Sequence, residues 1–142
     1  MYMLTIILLT LRTTNVFAGI LGDGRKQSVA VSGHLLCNEK PAANIRLKLY
    51  DKEILLDYKL DEGKTDSSGA FYLRGSKKEI TNIDPKLNIY HKCNYSGPCV
   101  KKLSIIIPDE YITESSTPQL VFNIGTINLA GMISGEEIDC IN

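Results

Sequence analysis

Apolar and polar residues alternate along much of this chain, and this period of two limits its fold more than any other feature. The alternation runs through residues 29–37, 45–50, 87–90, 103–107 and 120–124. Successive side chains of a β-strand point to opposite faces, so alternation is typical of strands with one buried face. No segment keeps apolar residues at helical spacing over three turns. The sequence therefore predicts a mainly β protein.

Short runs rich in Asn, Asp, Ser, Gly and Pro separate these segments, at residues 38–41, 66–69, 82–85, 94–98 and 108–109. Asn, Asp and Ser side chains hydrogen-bond their own backbone in turns, and Pro cannot donate to an interior ladder. About seven short strands with such turns indicate an all-β, two-sheet antiparallel sandwich. We interpret Asp51 to Leu60 as a loop or a single turn.

The N-terminus has the features of a secretory signal peptide. Its apolar run at residues 3–11 is too short for a bilayer span, which needs about 20 apolar residues. Small residues then precede a cleavage site after Ala18. We therefore expect removal of residues 1–18 and a single secreted domain at residues 19–142. An uncleaved anchor is the alternative.

Four cysteines, Cys37, Cys93, Cys99 and Cys140, predict two disulfides in a secreted chain. Because Cys93 and Cys99 flank a short loop between adjacent strands, we expect them to pair, which leaves Cys37 with Cys140. This is one of three pairings that four cysteines allow. A metal site on His91, Cys93 and Cys99 is the alternative, but the spacing lacks the close cysteine pairs of structural zinc sites.

Two further features concern the surface. Asn94 begins an Asn-Tyr-Ser sequon, which predicts a glycan acceptor on an exposed loop. The doublets Lys77-Lys78 and Lys101-Lys102 would form a patch for an anionic ligand if the fold brings them together. Solvated strand ends are the alternative. The formal net charge of zero excludes the broad positive field that nucleic-acid binding requires.

The chain has two histidines, and neither indicates catalysis. His91 shares a strand face with Leu87 and Ile89, so we expect a buried, hydrogen-bonded structural histidine. His34 lies on the polar face of its strand and is expected to be exposed. Since no nucleophile–base pairing is visible in the sequence, we predict no catalytic residues, no cofactor and no enzymatic activity.

Several blocks of the sequence resemble the nematode transthyretin-like family. They are VSGHLLCNEKPAANIRLKLYD (31–51), DEGKTDSSGAFYLRGS (61–76), KLNIYHKCN (86–94), KKLSIIIPDEYIT (101–113) and FNIGTINLAG (122–131), together with Cys140. The resemblance implies a transthyretin-like (prealbumin-like) sandwich of seven or so strands. It also implies a protein that is secreted and has no enzymatic activity.

The same resemblance narrows the function. The superfamily's 5-hydroxyisourate hydrolase has a C-terminal Tyr-Arg-Gly-Ser motif, whereas this chain ends Glu-Glu-Ile-Asp-Cys-Ile-Asn. Hormone carriers of the superfamily bind ligand in a channel between subunits, lined by their last strands. Residues 131–142 show no long alternating run, so we expect a monomer or a dimer and not a channel-forming tetramer.

The leading hypothesis is an extracellular binding protein that engages a protein or an anionic lipid head group at cell surfaces. One branch of the family bridges phosphatidylserine on dying cells to a phagocyte receptor, and this is one alternative. Carriage of a small hydrophobic ligand, such as a hormone or lipid, is the other. We expect no nucleic-acid partner and no transmembrane span.

Overall fold

The alternating segments form two β-sheets in a computed structural model, which describes residues 24–131 and 133–142. The predicted signal peptide lies outside the described residues. In chain order the strands are β1 (Arg25–Cys37), β2 (Lys40–Pro41), β3 (Arg46–Asp51), β4 (Tyr58–Lys64), β5 (Ala70–Glu79), β6 (Pro85–His91), β7 (Val100–Ile106), β8 (Phe122–Asn128) and β9 (Glu137–Asp139). The predicted all-β, two-sheet architecture is confirmed.

The first sheet is built around β1, which pairs with β2 and β5 in antiparallel fashion and with β8 in parallel. The second sheet has the order β4-β3-β6-β7-β9, and all of its pairs are antiparallel. A single 3-10 turn, Asp109–Tyr111, follows β7 in the described chain. Beyond it Thr113 exchanges two backbone hydrogen bonds with Ser28 of β1, at 2.8 and 2.9 Å.

The core lies between the two sheets and consists of the apolar members of each alternating segment. Val29, Val31 and Leu35 come from the first sheet, while Leu47, Leu49, Leu87 and Ile89 come from the second, and all seven are fully buried. Each such side chain contributes about 1.5–3 kcal/mol relative to exposure. A shift of one residue in any register would turn these side chains to solvent, so the pattern determines which face of each strand is internal.

The predicted disulfide pairing is wrong: Cys37 is bonded to Cys93, and Cys99 is bonded to Cys140. Cys93 continues the inward face of β6 and is 8% exposed, so its sulfur reaches Cys37 at the end of β1 in the opposite sheet. Cys99 lies just before β7, at the edge where β9 pairs. The short loop between Cys93 and Cys99 therefore does not decide their partners, because the two side chains face different parts of the sandwich.

The C-terminal strand β9 is absent from the sequence prediction. It spans three residues, Glu137–Asp139, which are too few to show an alternating pattern. β9 covers the outer edge of β7, with Lys102 opposite Glu137. The Cys99–Cys140 bond holds the tail there.

Candidate binding surface

The loop that connects β3 to β4 has an apolar tip, formed by Ile54, Leu55 and Leu56. The exposed fractions of these residues are 101%, 97% and 81%. Single exposed apolar residues are ordinary on protein surfaces, but a contiguous exposed apolar group marks an interaction site. The predicted loop at Asp51 to Leu60 is thus confirmed for residues 52–57, and β4 begins at Tyr58.

The base of this loop is held in place by backbone and side-chain contacts. The Lys52 amide donates to the Asp84 carbonyl at 2.8 Å, and the Glu53 amide donates to the Asp57 carboxylate at 3.2 Å. Lys86 lies 2.6 Å from Asp57. Burial acts to raise the pKa of Asp57, but Lys86 and the Glu53 amide outweigh it, so that the pKa is lowered. The tip is therefore presented from a fixed base.

Lys77 lies at the centre of an acidic group beside the same loop. Its ammonium contacts Glu53, lies 2.5 Å from Glu79 and 3.2 Å from the buried Asp51, and stands 4.4 Å from the centroid of the Tyr58 ring. Burial opposes the charge of Lys77, but the three carboxylates raise its pKa well above the usual range. Burial also raises the pKa of Glu79. The three carboxylates thus share one lysine, and the group keeps a formal charge of −2 (three negative charges and one positive) when all three are ionised.

The two predicted lysine doublets are not brought together. Lys77 and Lys78 lie on β5 in the first sheet, and Lys101 and Lys102 lie on β7 in the second. Lys101 is 3.2 Å from Glu136, and Lys102 is 3.0 Å from Glu137. With Lys77 also ion-paired, the four lysines do not form a single anion-binding patch.

A different group of cations lies on the outer face of the second sheet, and we call Arg46, Lys48 and Lys64 the cationic face. Strand register places Lys64, Arg46, Tyr90 and Lys102 directly opposite one another across four strands. No member of the cationic face makes an ion pair within the described residues. Glu62 lies opposite Lys48 in the register of β3 and β4, and its pKa is lowered by its hydrogen bond to Lys59 and further by the charges of Lys48 and Arg46.

Tyr90 lies at the centre of the cationic face. The Arg46 guanidinium and the Lys48 ammonium each lie 5.5 Å from the centroid of its ring, which is within cation–π range. The Asn88 amide donates to the Tyr90 hydroxyl at 3.2 Å, and Ser104 donates to Asn88 at 2.6 Å. Burial raises the pKa of Tyr90 to about 12. The ring therefore stays neutral beneath the two cations.

Two of the cations on this face are poorly satisfied. Lys48 is only 8% exposed, and the buried Nε of Arg46 has no hydrogen-bond partner within the described chain. Buried charges in proteins are ordinarily paired, since desolvation of an unpaired charge costs free energy. Because the Arg46 Nε is buried, an anion at the surface would act on the charge of the guanidinium without hydrogen-bonding that atom.

The apolar tip and the cationic face belong to one side of the second sheet. A cleft of about 490 Å³ is lined by the tip together with Lys86, Asn88, Tyr90 and Lys102, and also by the carboxylates of Glu53, Asp57 and Asp139. Lys48 lies three residues before the end of β3, about 10 Å from the start of the loop at the usual strand rise. The cleft therefore adjoins the cationic face at Tyr90, while Arg46, Lys48 and Lys64 themselves do not line it.

His91, two residues before the disulfide-bonded Cys93, has the structural role that the sequence predicts. This side chain is buried, its Nδ1 accepts the Cys93 amide at 3.1 Å, and its Nε2 lies 2.8 Å from Glu136. An amide donor at Nδ1 leaves the proton of the neutral ring on Nε2, which donates to the Glu136 carboxylate. The predicted buried, hydrogen-bonded His91 and exposed His34 are confirmed.

The sequon residue Asn94 lies in the turn after β6, in the left-handed region with φ 52°. Its amide pairs with that of Asn38 through two hydrogen bonds of 2.8 and 2.9 Å. A glycan on the Asn94 Nδ2 would replace one of its hydrogens and disturb this pair. Glycosylation of Asn94 stays a prediction.

Sequence reasoning did not identify the cationic face or the apolar tip as a site. In the sequence, Arg46, Lys48 and Lys64 have the pattern of solvent-facing residues on ordinary strands. Only the register of β3 with β4 and β6 shows that they lie close to one another. The tip had a usable signal: three consecutive apolar residues, in neither strand nor helix period, between charged residues on both sides.

The fold and its disulfides define the class of protein. It is an all-β sandwich in which one disulfide joins the two sheets and the other holds the C-terminal tail. Among the residues that the structure describes, no helix is long and apolar enough to cross a membrane. The sequence profile of the Transthyretin-like family matches residues 32–108. The chain belongs to this family.

Sequence relatives of this chain carry the same family name. Transthyretin-like protein 5 of Caenorhabditis elegans is 45% identical over 122 residues, which cover 84% of this chain and 88% of the relative. Transthyretin-like protein 33 of the same organism is 44% identical over 119 residues, covering 82% of this chain and 83% of the relative. A solved 9R-lipoxygenase from Cyanothece superimposes at a TM-score of 0.40 and 18% identity, over 72% of this chain and 16% of that one. A similarity this weak supports no functional argument.

Proposed function

We propose that this protein is a secreted, non-enzymatic binding protein that docks on the outer surface of a membrane containing anionic lipid. The apolar tip inserts between lipid head groups, and the cationic face contacts their phosphates and carboxylates. The observation that carries the proposal is the exposed tip Ile54–Leu56, on a sheet whose outer face carries three cations without ion pairs in the described chain. The predicted signal peptide and the two disulfides support an extracellular location.

The charges around the tip are of both signs. Lys86 pairs with Asp57, but Lys77 is shared among Glu53, Asp51 and Glu79 and so offsets the charge of Glu53 only in part. Lys52 adds a positive charge at the start of the loop. The positive charge that would attract anionic head groups therefore comes from Lys52 and from the cationic face.

Insertion of the apolar tip and attraction of the cations each contribute only a modest free energy of membrane binding. We therefore expect that both contributions are needed. Burying one Ile or Leu side chain fully gains about 1.5–3 kcal/mol, and insertion of the tip buries only part of each residue. A Lys or Arg near an anionic surface adds about 1 kcal/mol, and this term weakens as salt screens it. Insertion of a single lipid chain gives only marginal membrane binding. We therefore expect binding that depends on the tip, on anionic lipid and on low salt.

Vesicle flotation tests this proposal. The mature chain should float with vesicles of phosphatidylcholine and phosphatidylserine, and much less with phosphatidylcholine alone. Replacing the tip by serine (Ile54→Ser, Leu55→Ser and Leu56→Ser together) should abolish flotation without lowering the melting temperature. Tyr72→Ser is the control, because Tyr72 is 53% exposed but lies on β5 of the other sheet.

The choice of anionic lipid separates the finer alternatives. Equal binding to phosphatidylserine and to phosphatidylglycerol vesicles of the same charge indicates a charge-selective surface. A clear preference for phosphatidylserine supports the bridging role, in which a receptor would bind elsewhere on the sandwich. Equal recovery of the native chain with neutral and anionic vesicles contradicts the proposal and leaves a protein partner as the hypothesis.

A further inference from the structure

The last residues that the structure describes form an acidic segment along one edge of the second sheet. Residues 137–142, which we call the strap, contain Glu137 and Asp139 and no basic side chain. They include β9, which pairs with the outer edge of β7, and Cys140, which is bonded to Cys99. The strap therefore brings two carboxylates to the edge of a sheet whose outer face carries unpaired cations.

One carboxylate of the strap ends a row of side chains that crosses the whole sheet. The register places four of them directly opposite one another on β4, β3, β6 and β7, in the order Lys64, Arg46, Tyr90 and Lys102. Glu137 of β9 is the fifth, and its carboxylate lies 3.0 Å from the Lys102 ammonium. Directly opposite residues lie on the same face of a sheet. Without Glu137, Lys102 would extend the cationic face to β7.

The second carboxylate of the strap lies beside the cleft at the apolar tip. Asp139 is two residues after Glu137 and therefore on the same face of β9, and it lines the cleft together with Tyr90 and Lys102. Burial, and to a smaller extent the charge of Asp139, raise the pKa of Tyr90. An anionic ligand that approaches Tyr90 and Lys102 is therefore repelled by both carboxylates of the strap.

The strap is attached by a few contacts and one covalent bond. None of the three residues of β9 is buried, and the Glu137 side chain is 63% exposed, so its ion pair adds little stability. The covalent bond is Cys99–Cys140, in which Cys140 is exposed, whereas Cys93 of the other disulfide is only 8% exposed. Exposed disulfides are reduced more readily than buried ones. A reductant would therefore break the bond at the strap before the bond in the core.

We propose that the strap is an autoinhibitory element, which masks the cationic face while Cys99–Cys140 is intact and is released when a dithiol reduces that bond. A thiolate of the dithiol attacks one of the two sulfurs, and the second thiol of the dithiol then resolves the mixed disulfide. Two electrons and two hydrogens pass to Cys99 and Cys140, which become thiols, and the dithiol becomes a disulfide. Glu136, which lies 2.8 Å from the buried His91, stays in place as residues 137–142 leave. Anionic head groups are the ligand through the proposed function, on which this inference rests.

Hydrogen exchange measures release of the strap without any ligand. Cys99→Ser and Cys140→Ser together should remove the protection of the backbone amides in the β7–β9 ladder, at residues 100–102 and 137–139, and leave the core strands protected. The native chain treated with dithiothreitol should show the same change while peptide mapping finds Cys37–Cys93 still bonded. Native-like protection of the ladder in the double variant overturns the proposal, and so does reduction of Cys37–Cys93 first.

Retention on a sulfonate cation exchanger measures the unmasked charge without lipid. The double cysteine variant has the formal net charge of the native chain, so its later elution would report cations freed from the strap. It should also bind vesicles of phosphatidylcholine and phosphatidylserine about fivefold more tightly, which corresponds to one additional cation. Unchanged elution of a variant that has lost its ladder protection overturns the proposal, because the strap would then mask nothing.

Glu137→Gln tests the mask while the disulfide is intact. It should also raise the affinity for these vesicles about fivefold, because it frees Lys102. Glu110→Gln makes the same change of net charge at an exposed site outside both sheets and should have little effect, so equal gains for the two variants overturn the proposal. Later elution of the double cysteine variant, with no vesicle binding by any of these chains, supports the mask and refutes only the proposed function.

Discussion

Two groups of cations on this sandwich have opposite surroundings. Lys77 is in contact with three carboxylates, whereas Arg46, Lys48 and Lys64 have no ion-pair partner within the described residues and cluster around one tyrosine. The first arrangement stabilises the base of a loop. The second leaves its cations without a carboxylate in ion-pair contact. The comparison teaches that lysines adjacent in sequence do not indicate an anion site, because what matters is whether the fold brings carboxylates within ion-pair distance of them.

Breaking the Lys77 site should give the largest effect. Asp51 is 1% exposed, lies 3.2 Å from Lys77 and accepts the Asp84 amide at 2.8 Å. Asp51→Ala leaves both donors short of an acceptor and should lower the free energy of unfolding by about 3 kcal/mol, measured by urea denaturation. Glu110→Ala, which removes an exposed carboxylate, should have little effect. Equal losses for the two variants would contradict the assigned role of Asp51.

The buried tyrosine of the cationic face should make stability fall at alkaline pH. The pKa of Tyr90 is raised to about 12 in the folded protein, while an unfolded tyrosine titrates near 10. Between these values the unfolded chain binds fewer protons, so stability decreases as pH rises, by at most about 3 kcal/mol. Tyr90→Phe should flatten this part of the profile.

Lys77 also makes the folding stability decrease as pH rises in the alkaline range. Its pKa is raised by its carboxylates, so its stabilisation is present below the pKa of an unfolded lysine and is lost as pH rises through the folded value. The difference between native and Tyr90→Phe profiles isolates the tyrosine. Tyr72→Phe, at an exposed site, is the control, and an identical slope in both variants would refute the assignment to Tyr90.

The smallest effect should distinguish the two groups of cations directly. Lys48→Met should leave stability unchanged or slightly higher, because an unpaired cation with 8% exposure is replaced by an apolar side chain. The same variant should weaken binding to anionic vesicles about fivefold, which corresponds to about 1 kcal/mol per cation. Lys77→Met should show the reverse pattern, with lower stability. Loss of stability in Lys48→Met would remove the distinction.

The sequence predicted the fold better than it predicted the site. Alternation at residues 29–37 and 45–50 gave the strands and their buried faces, since the pattern arises within each strand. The sequence also predicted a strand in the region of β8 and the loop after Asp51. The pairing of the cysteines was not predicted correctly, because the partner of Cys93 depends on which sheet lies opposite β6 and where the tail ends. Strand β9 was not predicted either, because its pairing with β7 depends on the position of the tail.

The sequence by itself determined that the chain is a disulfide-bonded β-sandwich of the transthyretin-like family, because strand period, turn residues and cysteine number are local properties. Tertiary structure decided which charges are neutralised. Lys77 contacts Asp51 across the two sheets, and Arg46 meets Tyr90 only through the β3–β6 register. It also decided that the strap lies along β7. These outcomes depend on contacts between residues far apart in the chain, which no local pattern encodes.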